Sequence, residues 1–480
     1  MKSIAKLLLK SIFLMILGHT LVSEENLPEL GDASSSAISI DQEYNLGRLF
    51  VAQIRGSTPQ YNDPLVLDYL EHLVYRLSEY SQLNDRRFEI VLIDEKSVNA
   101  FAAPGGIIGV NAGLFYYAEK EGQLASVLTH ELAHLSQRHY ARRLQRQEDR
   151  SLANTLIILA SVALAAASSP EAIIAGTQVL SQQAMSYSRS NEQEADRIGF
   201  LNLVSSGYDP VSTTEIFEKL QQLSRLSGAN ELEFLRSHPL TKKRISDSAS
   251  RASEIKKRKD YKDSLNFHLV RQKVSLKYFK NSRQAVSQKK LDYRKSKSNR
   301  EKIITGYGLS LALSEDNRHD DALKLSREIL NLDKENLILQ TNLLEIHIKA
   351  ENGLEALSLG QKLLSLNPGN YPISMLYIEA LMNAREYDEA EQILKDLSLE
   401  RSYDPQVWYW LAEVQGLNKK IIGLHQSRAE YFYLTGRYDS SIEHLNFALE
   451  LSGNNFQLSE VIRNNLEKVF STKERLKGAG

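Results

Sequence analysis

Apolar residues recur along most of the chain at the spacing of a helix face. They fall three or four positions apart through residues 41–81, which predicts helices there. Residues 88–93 predict a strand, and residues 105–110 predict a second one that begins at a Pro-Gly-Gly turn. An amphipathic helix is expected over residues 119–146, with an apolar stripe of leucine and valine. The first half of the chain therefore predicts an α+β domain in which a small sheet lies beside a long helix.

The second half of the chain repeats with a fixed period. Ala322, Ala356 and Ala390 each follow an acidic residue, and they lie 34 residues apart. This pattern resembles tetratricopeptide repeats, which stack into a curved solenoid with a concave groove. After residue 404 the phase slips, which leaves open an inserted helix or degenerate final repeats. The fold class expected for the whole chain is mostly α, with the α+β domain followed by an all-α solenoid.

The length and the charge of the chain limit its organisation and its partners. At 480 residues it exceeds what one hydrophobic core usually organises, and a basic run at residues 256–259 marks a boundary. We expect one domain over residues 24–258 and the repeat domain over residues 259–480. Since 59 basic and 60 acidic residues nearly cancel, the composition does not favour a nucleic acid or an anionic membrane as partner.

The N-terminus has the pattern of an export signal. Three lysines among the first ten residues precede an apolar stretch that is too short for a membrane span, and cleavage is expected near Ser23. Leu21 is larger than the residue usual before such a cut, so an uncleaved anchor stays open. The chain has no cysteine, which excludes disulfides and a lipid-bearing cysteine. We expect a periplasmic protein with residues 1–23 as its signal peptide.

Residues 152–167 form a second apolar stretch. It is shorter than a membrane span, Asn154 interrupts it and Pro170 follows it. A buried helix or a cover over the functional site is the favoured interpretation. No transmembrane span is therefore expected after signal cleavage.

The motif His130-Glu131-x-x-His134 lies inside the amphipathic helix predicted at residues 119–146. The histidines are one helical turn apart, so both side chains point the same way and can bind one zinc ion. Zinc lowers the pKa of a nearby water molecule, and Glu131 takes its proton as the water attacks a peptide carbonyl. Histidines that simply face solvent are the alternative, which the flanking apolar stripe disfavours. The motif predicts a zinc-dependent peptidase.

A catalytic zinc needs a third protein ligand, and a carboxylate-bearing segment follows downstream. Glu192 and Asp196 lie one helical turn apart, and Gly199 comes shortly after them. Together with the histidine motif, this segment resembles the gluzincin metallopeptidases of the HtpX and CAAX-prenyl endopeptidase type. The resemblance implies one zinc per chain, held by both histidines and Glu192, with Asp196 orienting a ligating histidine.

A glycine-rich segment extends the resemblance. Asn99, Phe101, Gly105 and Gly106 fall in a stretch similar to the family's strand beside the zinc helix. The resemblance implies an edge on which an extended substrate pairs by β-addition, with these residues binding the substrate. A plain hairpin turn is the alternative.

A late His-Pro segment also matches the family. His238-Pro239 and Arg244 resemble the segment whose His and Arg approach the active site. We expect His238 to be a regulatory fourth ligand on a loop that docks or releases, and Arg244 to stabilise the oxyanion. Direct stabilisation of the transition state by His238 is the alternative. His139 and Glu194 are interpreted as a structural residue and a surface carboxylate.

The order of export signal, peptidase and repeats is similar to periplasmic members of the family that serve outer-membrane biogenesis. The similarity implies unfolded or misassembled outer-membrane proteins as substrates. It also implies docking of the repeats to the outer-membrane β-barrel assembly machinery and chaperone-like support of biogenesis. A chaperone or adaptor, in which binding dominates and proteolysis is rare, is the alternative function.

Overall fold

A computed structural model describes residues 39–145, 187–227, 233–255, 261 and 263–477. The predicted signal peptide, the apolar residues 152–167 and the basic run at 256–259 lie outside the described residues. Within the described ranges, no helix is both long and apolar enough to cross a membrane.

Helices dominate the first half, as the apolar spacing predicts. Among the described residues, two of them precede the sheet, α1 (Ile40–Ser57) and α2 (Pro64–Ser78). Asp63 caps α2, because its side chain accepts hydrogen bonds from the first free backbone amides. The described helices after the sheet are α3 (Ala112–Tyr117), α4 (Glu121–Ser136), α5 (His139–Gln145), α6 (Arg189–Ser205), α7 (Val211–Ser227), α8 (Glu233–Ser237) and α9 (Lys242–Glu254).

The prediction of a single helix over residues 119–146 is wrong, because the helix is broken at one point. α4 ends at Ser136, and Arg138 has a φ of 47° before α5 begins at His139. A left-handed residue at this place ends one helix and redirects the chain. Side chains of α5 therefore do not continue the faces of α4.

The sheet has three strands, β1 (Glu89–Ile93), β2 (Ala100–Ala103) and β3 (Ile107–Asn111), in the order β1-β3-β2. β1 pairs with β3 in parallel, and β2 pairs with β3 antiparallel. β2 therefore lies at an edge of the sheet, where it contacts α4. The two predicted strands correspond to β1 and β3.

Both faces of the sheet are buried. On one face, Val91 and Ile107 pack in a cluster with Phe50 of α1. On the other face, Leu92 and Ile108 pack in the main core, which includes α2, α3 and α4. Residues on successive strand positions point to opposite faces, so strands buried on both sides are apolar nearly throughout.

α6 approaches α4 closely at Gly199. A Cβ atom at this position would lie 2.9 Å from the Cα and N atoms of His130. Ala133 and Ala195 pack with Ile198 at the same interface. Small residues thus let two helix backbones come together where His130 is.

The second half consists of twelve helices that follow one another with short turns. They are α10 (Leu265–Leu276), α11 (Ser282–Lys295), α12 (Asn299–Glu315), α13 (His319–Leu330), α14 (Leu337–Lys349), α15 (Gly353–Leu366), α16 (Tyr371–Asn383), α17 (Tyr387–Glu400), α18 (Pro405–Leu417), α19 (Ile421–Leu434), α20 (Tyr438–Ser452) and α21 (Phe456–Lys477). Neighbouring helices in the chain contact one another, which is the packing expected of stacked helical repeats. The predicted fold class is confirmed.

The backbone of the turns carries the 34-residue period. Left-handed residues recur every 34 positions at Asn317, Glu351, Arg385 and Lys419, each between two helices of a pair. The next left-handed residue is Gly436, only 17 positions further. The period therefore continues past residue 404, and the slip is half a repeat that falls at α19.

The repeats pack against the first half of the chain. Arg401 forms a two-pronged ion pair with Glu71 of α2, at 2.7 and 2.9 Å. Lys273 of α10 lies 3.3 Å from Asp63 and 2.7 Å from Glu345. Burial would raise the pKa of Glu345, but Lys273 and Lys349 lower it to about 2, so this carboxylate is ionised. The division into domains at residue 258 stays a prediction.

Replacement of Gly199 by alanine is expected to destabilise the protein. The added methyl group would meet the backbone of His130, which cannot move aside as a flexible side chain can. We expect a loss of about 1–3 kcal/mol in the free energy of unfolding, measured by urea denaturation of the full chain.

Gly353→Ala is the matched control, because a Cβ atom there has no neighbour within 4 Å and the residue begins α15. This variant should unfold at the same urea concentration as the unmodified chain or a slightly higher one. Equal behaviour of the two variants would show that the approach of α6 to α4 tolerates a side chain.

Candidate metal centre

α4 brings two imidazoles together in the interior. Every residue of this helix from Glu121 to His134 is buried. The Nε2 atoms of His130 and His134 lie 3.1 Å apart, as expected for side chains one turn apart on the same face. Both histidines are at most 5% exposed.

α6 adds two carboxylates from the opposite side. Its first turn is fixed by Ser188, whose side chain accepts from the Asn191 amide. Oε1 of Glu192 lies 3.4 Å from Nε2 of His134, and its Oε2 lies 3.6 Å from Nε2 of His130. One turn further along, Oδ1 of Asp196 lies 3.1 Å from Nδ1 of His130, on the far side of the ring.

His238 completes the cluster from the segment after α8. Its Nδ1 lies 2.9 Å from Oε1 of Glu192 and 3.3 Å from Nε2 of His130. The ring lies between those of Phe234 and Tyr187, with centroids 4.8 and 5.7 Å away and planes tilted by 30° and 29°. This stacking holds His238 in the interior, where it is 1% exposed.

The donor set fits a zinc ion. Ligand atoms of His130, His134, Glu192 and His238 all lie within 4.8 Å of one another. Bonds of about 2.0–2.1 Å to a tetrahedral ion place its ligand atoms about 3.3 Å apart, and the separations above scatter around that value. Imidazole nitrogen and carboxylate oxygen are ligands that zinc prefers in proteins.

Glu131 lies beside this cluster. Its Oε1 is 3.5 Å from Nε2 of His238, and its side chain is fully buried. Neither carboxylate oxygen has a hydrogen bond of acceptable geometry within the described ranges, although the Ala102 amide is near enough to lower the pKa of this group. A buried polar atom without a donor fits a position reserved for a water molecule or a substrate. Burial dominates and raises the pKa of Glu131 above its ordinary value.

Charge is balanced within the cluster. Burial would raise the pKa of Glu192, but His238, His130 and His134 lower it well below its usual range. Burial lowers the pKa of His130, yet the neighbouring carboxylates of Asp196 and Glu192 outweigh it and raise this pKa to about 10. The pKa of Asp196 is also lowered, against the effect of burial, by His130 and Arg244, so Glu192 and Asp196 are both ionised, as a metal ligand and its partner must be.

Arg244 is fixed by the carboxylates of α6. It donates to both oxygens of Asp196, at 2.6 and 2.7 Å, and to the carbonyl of Pro239 at 3.1 Å. Its Nη1 also lies 2.7 Å from Oε2 of Glu192. This arrangement favours a positioning role for Arg244 over the predicted contact with an oxyanion.

Three of the predicted substrate-binding residues lie in the core or in a turn. The Phe101 ring packs on Phe50 and covers Gly109, so it belongs to the core. Gly105 and Gly106 have φ angles of 75° and 76°, and each lies against neighbouring backbone in the turn between β2 and β3. Gly105 and Gly106 thus form a hairpin turn, and the role of these three residues in substrate binding stays a prediction.

The backbone of β2 is the part that faces the cluster. Asn111 donates to the carbonyl of Asn99, so the hydrogen-bonded pairs with β3 fall at every second residue from Asn99. The amides and carbonyls of Ala100 and Ala102 therefore point away from β3, toward the edge beside α4, where no other strand of the described ranges pairs with β2. An extended peptide can be aligned at this edge.

His139 and Glu194, which the sequence analysis interpreted as a structural residue and a surface carboxylate, form a chain of contacts that ends at His134. Nδ1 of His139 lies 2.9 Å from Nδ1 of His134, and its Nε2 lies 3.0 Å from Oε2 of Glu194. A continuous helix would place His139 on another face, and only the left-handed Arg138 turns it back. No feature of the sequence marked this turn, since the residue is not glycine or asparagine.

Comparison with known proteins agrees with the geometry. Residues 64–252 match peptidase family M48, and residues 348–414 match the tetratricopeptide repeat. The chain is 32% identical over 431 residues to the β-barrel assembly-enhancing protease of Escherichia coli (strain K12), which covers 89% of this chain and 87% of that protein. It is 30% identical over 430 residues to the protein of the same name from Yersinia pestis, which covers 88% of this chain and 87% of that protein.

A further similarity covers a smaller share of the chain. The mitochondrial metalloendopeptidase OMA1 of Arabidopsis thaliana is 31% identical over 164 residues, which is 34% of this chain and 31% of that protein. The predictions of a metallopeptidase and of tetratricopeptide repeats are confirmed, whereas the role of each site residue stays a prediction. The chain therefore belongs to the β-barrel assembly-enhancing protease family, within the metallopeptidases of family M48.

Proposed function

We propose that this protein is a zinc-dependent endopeptidase of the periplasm that degrades misfolded or misassembled outer-membrane proteins. The observation that carries the hydrolytic part is the convergence of His130, His134 and Glu192 around one point, with the carboxylate of Glu131 beside them. The compartment rests on the N-terminal signal pattern. The substrate class rests on the similarity to β-barrel assembly-enhancing proteases.

The three ligands leave the chemical steps to neighbouring residues. A bound zinc ion supplies a Lewis acid, which activates water and polarises a peptide carbonyl. Glu131 takes the proton of the attacking water and passes it to the leaving amine, a task for which a raised pKa is suited. Asp196 holds the ring of His130 through Nδ1, and Arg244 holds Asp196.

The edge of β2 orients the substrate in this proposal. Backbone groups of Ala100 and Ala102 pair with an extended peptide, which recognises chain conformation and not a particular sequence. Unfolded segments of an outer-membrane β-barrel protein are extended chains of this kind. Folded neighbours do not, because their backbone groups are already paired.

The repeats supply a second contact surface. Stacked helices present a groove and edges to a partner of protein size, and here that partner is the outer-membrane β-barrel assembly machinery. Docking there places the peptidase where its substrates accumulate. Chaperone-like support of outer-membrane biogenesis follows when binding is not succeeded by cleavage.

Replacement of Glu131 by glutamine is expected to abolish proteolysis and to keep the metal. The amide preserves the size of the side chain but cannot accept the proton of water. The rate of casein digestion by the purified full chain should fall by about two to four orders of magnitude, with zinc content unchanged.

Glu119→Gln is the control, since this carboxylate is exposed and pairs with Lys219 near the start of α4. It should leave the rate unchanged. Activity of Glu131→Gln within tenfold of the unmodified chain would show that another group is the base. Stoichiometric zinc without any chelator-sensitive cleavage by the unmodified chain would favour the chaperone or adaptor instead.

His238→Ala is expected to raise proteolysis several-fold, including self-cleavage. His238 Nδ1 lies as close to Glu192 and His130 as those residues lie to each other, so in this position it completes a four-ligand set and blocks water. The measurement is casein digestion together with zinc content.

His72→Ala serves as control, because this imidazole is exposed on α2. A fall in activity of His238→Ala with zinc content unchanged would contradict inhibition by His238. That result would support direct stabilisation of the transition state.

A further inference from the structure

His139 lies directly behind His134, on the side away from the other ligands. Their Nδ1 atoms are 2.9 Å apart, and Nε2 of His139 is 3.0 Å from Oε2 of Glu194. The imidazole of His139 is fully buried, while Glu194 is partly exposed at the end of this chain of contacts. Arg142 lies 3.3 Å from the same oxygen of Glu194 and keeps a positive charge beside it.

The directions of these hydrogen bonds follow from the chemistry of the groups. An ionised carboxylate only accepts, so Nε2 of His139 donates its proton to Glu194. Nδ1 of a neutral His139 then carries a lone pair and accepts from Nδ1–H of His134. With its proton on Nδ1, His134 has a bare Nε2, and this is the atom that faces Glu192 and His130.

His134 is therefore supported in the same manner as His130. Oδ1 of Asp196 lies 3.1 Å from Nδ1 of His130, and Asp196 is in turn fixed by an arginine. For His134, the accepting group is an imidazole, and the carboxylate comes one step later. The Tyr187 ring also stacks on His134 at 4.0 Å, which limits tilting of the ring but does not set its tautomer.

We infer that His139 and Glu194 are positioning residues for the metal ligand His134, forming a relay that fixes its tautomer and the direction of its Nε2. This inference rests on the proposed metal site and is independent of the substrate. A carboxylate outside the ligand set reaches the metal centre through a neutral imidazole. Hydrogen-bond partners of this kind strengthen metal binding by about 10–100-fold.

The test compares metal affinities of the full-length chain. Zinc affinity is measured by competition with a chromogenic chelator for the unmodified chain, Glu194→Ala, His139→Ala and the double variant. Each single variant should bind zinc about 10–100-fold more weakly. The double variant should be no weaker than His139→Ala, because Glu194 acts only through His139.

Gln193→Ala is the matched control, since Gln193 is the exposed neighbour of Glu194 on the same helix. It should bind zinc as the unmodified chain does. Thermal unfolding in the presence of excess chelator separates a merely structural effect. Glu194→Ala should unfold at the same temperature as Gln193→Ala there, so that its defect appears only in metal binding.

Zinc affinity of both single variants within twofold of the unmodified chain would overturn the relay, and so would additive losses in the double variant. If His139→Ala does not fold, the comparison of Glu194→Ala with Gln193→Ala decides alone. A chain that binds no zinc in its unmodified form would overturn the proposed function together with the relay. Weak binding confined to the variants leaves the proposed function intact.

Discussion

The close approach of α6 to α4 at Gly199 is the constraint on which the site depends. It places the carboxylates of α6 opposite the imidazoles of α4, at distances that a shared zinc ion requires. Buried charges are expensive unless they are paired, and here each carboxylate meets an imidazole or an arginine. A larger residue at Gly199 would separate the two helices and leave these charges without their partners. The small residues at this helix contact are thus needed to form the proposed metal site.

Around this contact, further residues hold the two histidines proposed as metal ligands. Asp196 and Arg244 fix His130, and His139 with Glu194 reaches His134 from the other side. Glu131 differs from this pattern, because within the described residues its carboxylate has no hydrogen bond of acceptable geometry, and burial raises its pKa. The groups proposed to hold a metal are therefore fixed by neighbouring side chains, whereas the group proposed to transfer a proton is not. This contrast is the physical basis for assigning different roles to acidic residues only a few ångströms apart.

Local patterns in the sequence predicted the parts of the structure that local geometry controls. The one-turn spacing in α4 predicted the paired imidazoles, and the 34-residue period predicted stacked helices. Glu192 was predicted as a ligand from the resemblance to a family, because sequence spacing alone does not show that α6 packs against α4. The break at Arg138 was missed, and with it the contact of His139 with His134. Contacts between distant segments, such as Arg401 with Glu71, depend on how the solenoid curves and leave no trace in either segment.

The central claim is that His130, His134 and Glu192 hold a zinc ion in the interior. X-ray absorption at the zinc edge of the purified full chain tests this most directly. The account predicts one zinc per chain with four nitrogen or oxygen neighbours at about 2.0–2.1 Å and the outer-shell scattering of imidazole rings. Substoichiometric zinc, or a first shell of oxygen without imidazole scattering, would contradict it.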